Sequence, residues 1–140
     1  MKITTHIPPA DHRLFLRCRE LHEEIRQAKG DLDVLTASPL YRLRGLMDEE
    51  LPENMRSKIL CTQMRIDKET ERMNAARAEL NVLSCEAEKA AQSIRSDGLR
   101  RFVRLYCIDG MTCTEAVDGC GVCARSGYRY AALLRRQPTE

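Results

Sequence analysis

The sequence predicts an all-α protein, a long coiled-coil-like helical hairpin followed by a C-terminal helix-turn-helix. Three observations favour this class. Apolar residues recur at heptad spacing along two long stretches that a segment containing proline and glycine separates. Aromatic residues make up only 4% of the chain and tryptophan is absent, a composition that favours helix over strand. After residue 95, capping signals and glycines divide the chain into short helices.

The first arm of the predicted hairpin begins near Asp11, which follows two prolines and is a suitable N-cap. Its apolar seam alternates steps of four and three residues: Leu14, Cys18, Leu21, Ile25, Ala28, Leu32 and Leu35. Residues 37–52 are predicted to connect the arms, because Pro39, Gly45 and Pro52 interrupt helix there. A short apolar turn within this connection is expected to pack on the hairpin, formed by Leu40, Leu43, Leu46 and Met47.

The second arm is predicted as one helix over residues 53–95, a stretch without glycine or proline. Its seam repeats every seven residues: Ile59, Ile66, Met73, Leu80, Ala87 and Ile94. We therefore assign residues 11–96 to a hairpin and oligomerisation region. Heptad seams can pair within one chain or between two copies, and the sequence does not distinguish these two kinds of pairing. We expect a homo-oligomer, with a dimer favoured.

Residues 97–138 are predicted to form a helix-turn-helix domain. The interruption at Ser96-Asp97-Gly98 starts a helix that is apolar on one face, and Asp109-Gly110 ends it. Thr112 and Glu115 fit a capping box at the start of a short helix. Gly121 then allows a tight turn before a final helix over residues 124–136. The expected core of this domain comprises Leu99, Phe102, Val103, Tyr106, Ile108, Val117, Cys120, Leu133 and Leu134.

The charge distribution indicates a nucleic-acid partner for the last helix. Residues 1–95 balance sixteen Lys and Arg against sixteen Asp and Glu, whereas residues 124–136 carry four arginines and no acid. A basic helix placed second in a helix-turn-helix can lie in the major groove of double-stranded DNA. We predict that DNA is contacted by Arg125, Ser126, Tyr128 and Arg129, with phosphate contacts from Arg100, Arg101 and Arg104.

Several sequence blocks also carry a family resemblance. They are Leu105-Tyr106-Cys107-Ile108-Asp109-Gly110-Met111-Thr112, Glu115-Ala116-Val117, Gly121-Val122, Tyr128-Arg129 and, further upstream, Glu53-Asn54-Met55-Arg56-Ser57-Lys58-Ile59. Together they resemble the sigma-70 region 4-like transcriptional regulators of phages and prophages, of the late-gene activator type. The resemblance implies promoter DNA binding through a region 4-type helix-turn-helix and contact with RNA polymerase.

The chain departs from the pattern of that family at positions that matter for packing. Cys113 stands where the family has tryptophan, and Cys123 stands where a serine caps the recognition helix. Gly127 replaces a β-branched core residue inside that helix, at a cost of about 1 kcal/mol in helix propensity. We expect these replacements to shrink the core of the motif.

The cysteines and histidines offer a competing metal-site hypothesis. Cys107, Cys113, Cys120 and Cys123 include a C-x-x-C, but the other two flank a helix break, which is not the spacing of a zinc finger or ribbon. We therefore interpret them as small apolar or capping residues, and we expect no metal and no cofactor. The three histidines share no ligand spacing and are expected to face solvent: His6, His12 and His22.

Other features of the sequence limit the classes of protein to which the chain can belong. The seven cysteines are an odd number, and the N-terminus lacks an apolar signal-peptide core, so we expect reduced thiols and a cytoplasmic location in a bacterial host. No apolar run is long enough for a membrane span. No catalytic triad or nucleotide-binding loop is recognisable, so we expect a non-enzyme. Two alternatives stay open: a packaging component similar to a terminase small subunit, and a helical interaction protein that has lost DNA binding.

Overall fold

A computed structural model describes residues 7–46 and 51–136, and the regular secondary structure of these residues is entirely helical. The all-α class predicted from the sequence is therefore confirmed. The helices are α1 (Pro9–Thr36), a 3₁₀-helix (Tyr41–Leu46), α2 (Glu53–Gln92), α3 (Asp97–Val103) with a π-helical turn (Arg104–Ile108), α4 (Cys113–Gly119) and α5 (Ala124–Arg135). None of the helices in the described ranges is long and apolar enough to cross a membrane.

The start of α1 differs from the prediction. The helix begins at Pro9, and the backbone N–H of His12 donates to the carbonyl of Pro8 at 2.9 Å. Proline is well suited to the first helical position because an N–H there would have no intrahelical acceptor. Asp11 lies within the first turn, where its negative charge suits the positive end of the helix dipole. The prediction of Asp11 as the N-cap is therefore wrong.

The chain divides into two compact units, unit 1 with residues 1–23 and 78–140 and unit 2 with residues 24–77. The boundary predicted between residues 96 and 97 falls inside unit 1. The largest apolar core lies in unit 1 and joins the N-terminal part of α1 and the C-terminal part of α2 to α3, α4 and α5. Its fully buried large side chains include Phe15, Leu99, Phe102 and Leu134.

Unit 2 has a smaller core of its own. Tyr41, Ile59 and Ile66 are buried there, and neighbouring leucines pack around them, among them Leu40 and Leu43. Two leucines of the apolar turn predicted in the connection thus pack inside this unit. Leu46 is 43% exposed, and Met47 lies outside the described residues. Arg72 adds polar contacts within the unit: its guanidinium donates to the carboxylate of Glu24, the carboxylate of Glu69 and the side-chain carbonyl of Gln27.

Within unit 1, a buried arginine of α1 holds the C-terminal end of the helix formed by α3 and its π-helical turn. Arg19 is only 8% exposed, and its Nη1 donates to the carbonyls of Tyr106 at 3.0 Å and Met111 at 2.6 Å. Its guanidinium also lies 4.1 Å from the centroid of the Tyr106 ring, within cation–π range. Because carbonyls in the last turn of a helix lack intrahelical donors, Arg19 satisfies the buried carbonyl of Tyr106, and it also binds the carbonyl of Met111 in the segment that follows the helix.

Two histidines of α1 make contacts of the same kind. His12 is 8% exposed, and its Nε2 lies 3.0 Å from the carbonyl of Leu134 near the end of α5. His22 is partly buried, and its Nε2 lies 2.8 Å from the carbonyl of Ile108. The prediction that these histidines face solvent is therefore wrong, and His6 lies outside the described residues.

Candidate nucleic-acid interface

The predicted break in the helix between α2 and α3 is confirmed. Ser96 is the N-cap of α3, and its hydroxyl accepts a hydrogen bond from the backbone N–H of Leu99. Gly98 is buried, and a Cβ at this position would lie 2.5 Å from Cγ1 of Val122. The start of α3 therefore packs closely against the segment that leads into α5.

The π-helical turn that continues α3 ends at Asp109-Gly110, as predicted. Gly110 has a φ of +74°, the left-handed conformation that favours glycine at a helix end. The backbone N–H of Met111 then donates to the carbonyl of Leu105 at 2.9 Å. A Cβ on Gly110 would also collide with the ring of His22, so this close approach excludes any larger residue.

Helix α4 begins with the predicted capping box. The Thr112 hydroxyl accepts from the N–H of Glu115, and the Glu115 carboxylate accepts from the N–H of Thr112. Ala116, Val117 and Cys120 are buried on one side of α4 and belong to the core of unit 1. Gly121 follows with a φ of +78°, so the chain turns there in a conformation that a larger side chain would strain.

Gly127 allows α5 to pack closely against α4. It is buried, and a Cβ at this position would lie 2.7 Å from Cγ1 of Val117. Val117 therefore fills the space that a side chain at residue 127 would take. The expectation that glycine here leaves a smaller core is corrected, because a valine on the neighbouring helix fills that volume.

The buried face of α5 includes a tyrosine that is absent from the predicted core. Tyr130 is 8% exposed, and its ring centroid lies 6.1 Å from that of Phe102. Ala131 and Leu134 are buried beside it, whereas Tyr128 is 49% exposed. The spacing of residues 127, 130, 131 and 134 is that of one helix face and could have identified Tyr130.

The opposite face of α5 is basic and exposed. It presents residues at i, i+3, i+4 and i+7: Arg125, Tyr128, Arg129 and Ala132. Within the described ranges, neither the Arg125 nor the Arg129 guanidinium has a hydrogen-bond or ion-pair partner. Three predicted contact residues, Arg125, Tyr128 and Arg129, thus share one solvent-exposed face, and α5 contributes no acidic side chain to oppose them.

Ser126 and Cys123 interact with each other at the start of α5. Cys123 is the N-cap residue, and its thiol lies 3.3 Å from the Ser126 hydroxyl. The hydrogen bond between the Cys123 thiol and the Ser126 hydroxyl, together with backbone N–H groups of the first turn, lowers the pKa of the exposed Cys123 thiol. Ser126 is therefore partly engaged within the helix, unlike Arg125 and Arg129.

The three arginines of α3 and its π-helical turn that are predicted to bind phosphate have different surroundings. Arg100 donates to the carboxylate of Asp97 and to the carbonyl of Ile94, so its charge has a local partner. The Nε of Arg101 donates to the carbonyl of Cys120 at 2.7 Å. The Arg104 side chain is exposed and has no polar partner in the described part of the chain.

All seven cysteines are free thiols. Cys107 and Cys120 are buried, and the Cys120 thiol donates to the carbonyl of Val117. Burial raises the pKa of the Cys107 thiol far above its usual range. Among the described residues, no group of three or more His, Cys, Asp or Glu side chains is arranged to hold a metal ion.

The site thus consists of a basic helix face whose opposite side is anchored in the core of unit 1. Guanidinium groups on such a face can donate bidentate hydrogen bonds to phosphate or to the O6 and N7 of guanine.

Comparison of the chain with models of known families, with curated proteins and with solved structures gives no match.

Proposed function

We propose that the chain is a DNA-binding transcriptional regulator of a phage or prophage. In this proposal α4 and α5 form a helix-turn-helix of the sigma-70 region 4 type, and α5 is the recognition helix. The observation that carries the proposal is the exposed face of α5, where Arg125 and Arg129 lie without acidic neighbours on their own helix. Arginines so placed suit a polyanion better than they suit an apolar protein surface.

The way α5 is anchored gives further support. A helix that reads bases must hold its orientation when it enters a groove, because contacts to base edges depend on geometry. Here Gly121 sets the turn, Gly127 allows close packing on Val117, and Tyr130 fixes the buried face against Phe102. The side chains offered to DNA are thus carried on a rigid element.

The long helices have a separate role in the proposal. The heptad seams of α1 and α2 form the hairpin and support a homodimer, which would present two recognition helices to half-sites about 34 Å apart. The family resemblance adds a second partner, RNA polymerase, bound while the regulator occupies promoter DNA.

The test is fluorescence anisotropy of the purified full chain with a labelled mixed-sequence duplex across a salt series. We expect binding whose log affinity falls linearly with log salt, with a slope of about 0.9 per phosphate contacted. Selection of a bound sequence from a random library follows, because a promoter regulator must also prefer one site. Absence of binding at low salt would contradict the proposal and favour the interaction protein. Assembly of many subunits on packaging-site DNA would favour the packaging component.

A further inference from the structure

Arg101 links α3 to the turn that precedes α5. Its Nε donates to the carbonyl of Cys120 at 2.7 Å, and Cys120 is the C-cap residue of α4. Its guanidinium also lies near Gly121, since a Cβ there would lie 3.3 Å from Arg101 Nη2. A cation at this place satisfies a carbonyl at the end of α4 and suits the negative end of the helix dipole. Arg101 thereby braces the turn from outside.

Most of the hydrogen-bonding capacity of Arg101 remains available. A guanidinium has five N–H donors, and the contact with Cys120 uses only the one on Nε. Within the described ranges, no carboxylate pairs with Arg101, whereas neighbouring Arg100 is paired with Asp97. Arg101 is exposed, so the edge formed by its two terminal nitrogens can meet a ligand from solution. This planar fork matches the oxygens of a phosphate.

The two terminal nitrogens of Arg101 lie near the start of the recognition helix α5. Gly121 lies close to the guanidinium, and α5 begins three residues later at Ala124. A backbone phosphate bound by Arg101 would therefore lie beside the entry to α5 rather than along its exposed face. Phosphate contacts of this kind fix the register of a protein on a duplex without reading sequence.

We propose that Arg101 is a positioning residue with two simultaneous bonds, one to the Cys120 carbonyl and one to a DNA backbone phosphate. The phosphate is thereby tied to the turn that orients α5. This inference rests on the proposed DNA binding and deepens it, because it assigns to one residue a specific combination of contacts. Arg100 has no such combination, since its guanidinium is directed to Asp97 and Ile94 at the start of α3.

Two substitutions at Arg101 distinguish the contribution of the Cys120 bond from that of the phosphate bond. Arg101→Ala removes both, and we expect at least tenfold weaker binding and a log–log salt slope smaller by about one contact. Arg101→Lys keeps a charge for the phosphate but lacks the Nε–H that reaches Cys120. We expect the lysine variant to keep the wild-type slope while binding weakens severalfold. The matched control is Arg56→Ala, which removes an exposed arginine of α2 in unit 2.

A second readout needs no DNA. Amide hydrogen exchange of the turn around residues 120–124 should accelerate in both variants at Arg101, and it should not change in Arg56→Ala. A wild-type salt slope in Arg101→Ala would refute the phosphate bond, and unchanged exchange in Arg101→Lys would refute the bracing of the turn. Both results leave the proposed function standing if the wild type binds DNA. If the wild type binds no duplex, the proposed function and this inference fall together.

Discussion

Replacing Arg19 by methionine tests whether α1 secures the C-terminal helices of unit 1. The substitution keeps an unbranched apolar stem but deletes the donors to the carbonyls of Tyr106 and Met111, together with the cation–π contact on the Tyr106 ring. Charge-assisted hydrogen bonds contribute about 1.5–3 kcal/mol each, and a cation–π contact shielded from water adds about 1–2 kcal/mol. Since such contributions overlap, we expect a loss of about 3–5 kcal/mol in the free energy of unfolding.

Urea denaturation followed by circular dichroism measures this loss. The ion pair between Arg19 and Glu23 adds little to it, because the Glu23 side chain is 56% exposed and rehydrates when its partner is removed. Arg56→Met is the matched control, an exposed arginine whose replacement should change stability by less than about 0.5 kcal/mol. Arg19→Lys should give an intermediate loss, because one ammonium reaches two separated carbonyls less well. If Arg19→Met were as stable as the control, the capping role of Arg19 would be refuted.

Three further predictions follow from the packing and titration of unit 1. Cys123 should react with iodoacetamide faster than exposed Cys61, because its lowered pKa leaves more thiolate at a given pH; equal labelling by mass spectrometry would contradict this. Gly127→Val should cost about 1–3 kcal/mol by overpacking against Val117, and adding Val117→Ala should recover part of it; a neutral single variant in denaturation would show that the helices are not in close contact. A fragment of residues 97–140 should show little helix by circular dichroism, since it lacks the core residues of α1 and α2, and a cooperative melt of this fragment would disprove that dependence.

The local signals in the sequence were reliable where they rest on backbone chemistry. The capping box of Thr112 and Glu115 acts over three residues, and the positive φ angles of Gly110 and Gly121 are local backbone conformations that favour glycine. The same holds for Ser96, whose hydroxyl caps the helix that starts immediately after it. Such features are set by residue type and immediate neighbours, so one sequence is enough to predict them.

The contacts that secure the candidate interface could not be predicted because they join distant segments. Arg19 is separated from Tyr106 by 87 residues, and His12 from Leu134 by 122 residues. A charged or polar residue beside an apolar seam ordinarily faces solvent, and only the packed structure reveals the carbonyls that bind these side chains. Gly127 is a different case, because helix propensity takes no account of the valine on neighbouring α4 that fills its space.

The most direct test of the central claim is the DNA affinity of a variant with Arg125→Ala and Arg129→Ala. Both side chains are exposed and lack polar partners within the described ranges, so the protein should keep its fold while the face of α5 loses two charges. The matched control is Arg56→Ala with Arg77→Ala, which removes two exposed arginines from α2. We predict at least tenfold weaker binding for the α5 variant, a smaller salt slope and wild-type affinity for the control. Equal affinity of both variants and the wild type would contradict the assignment of α5 as the DNA-reading helix.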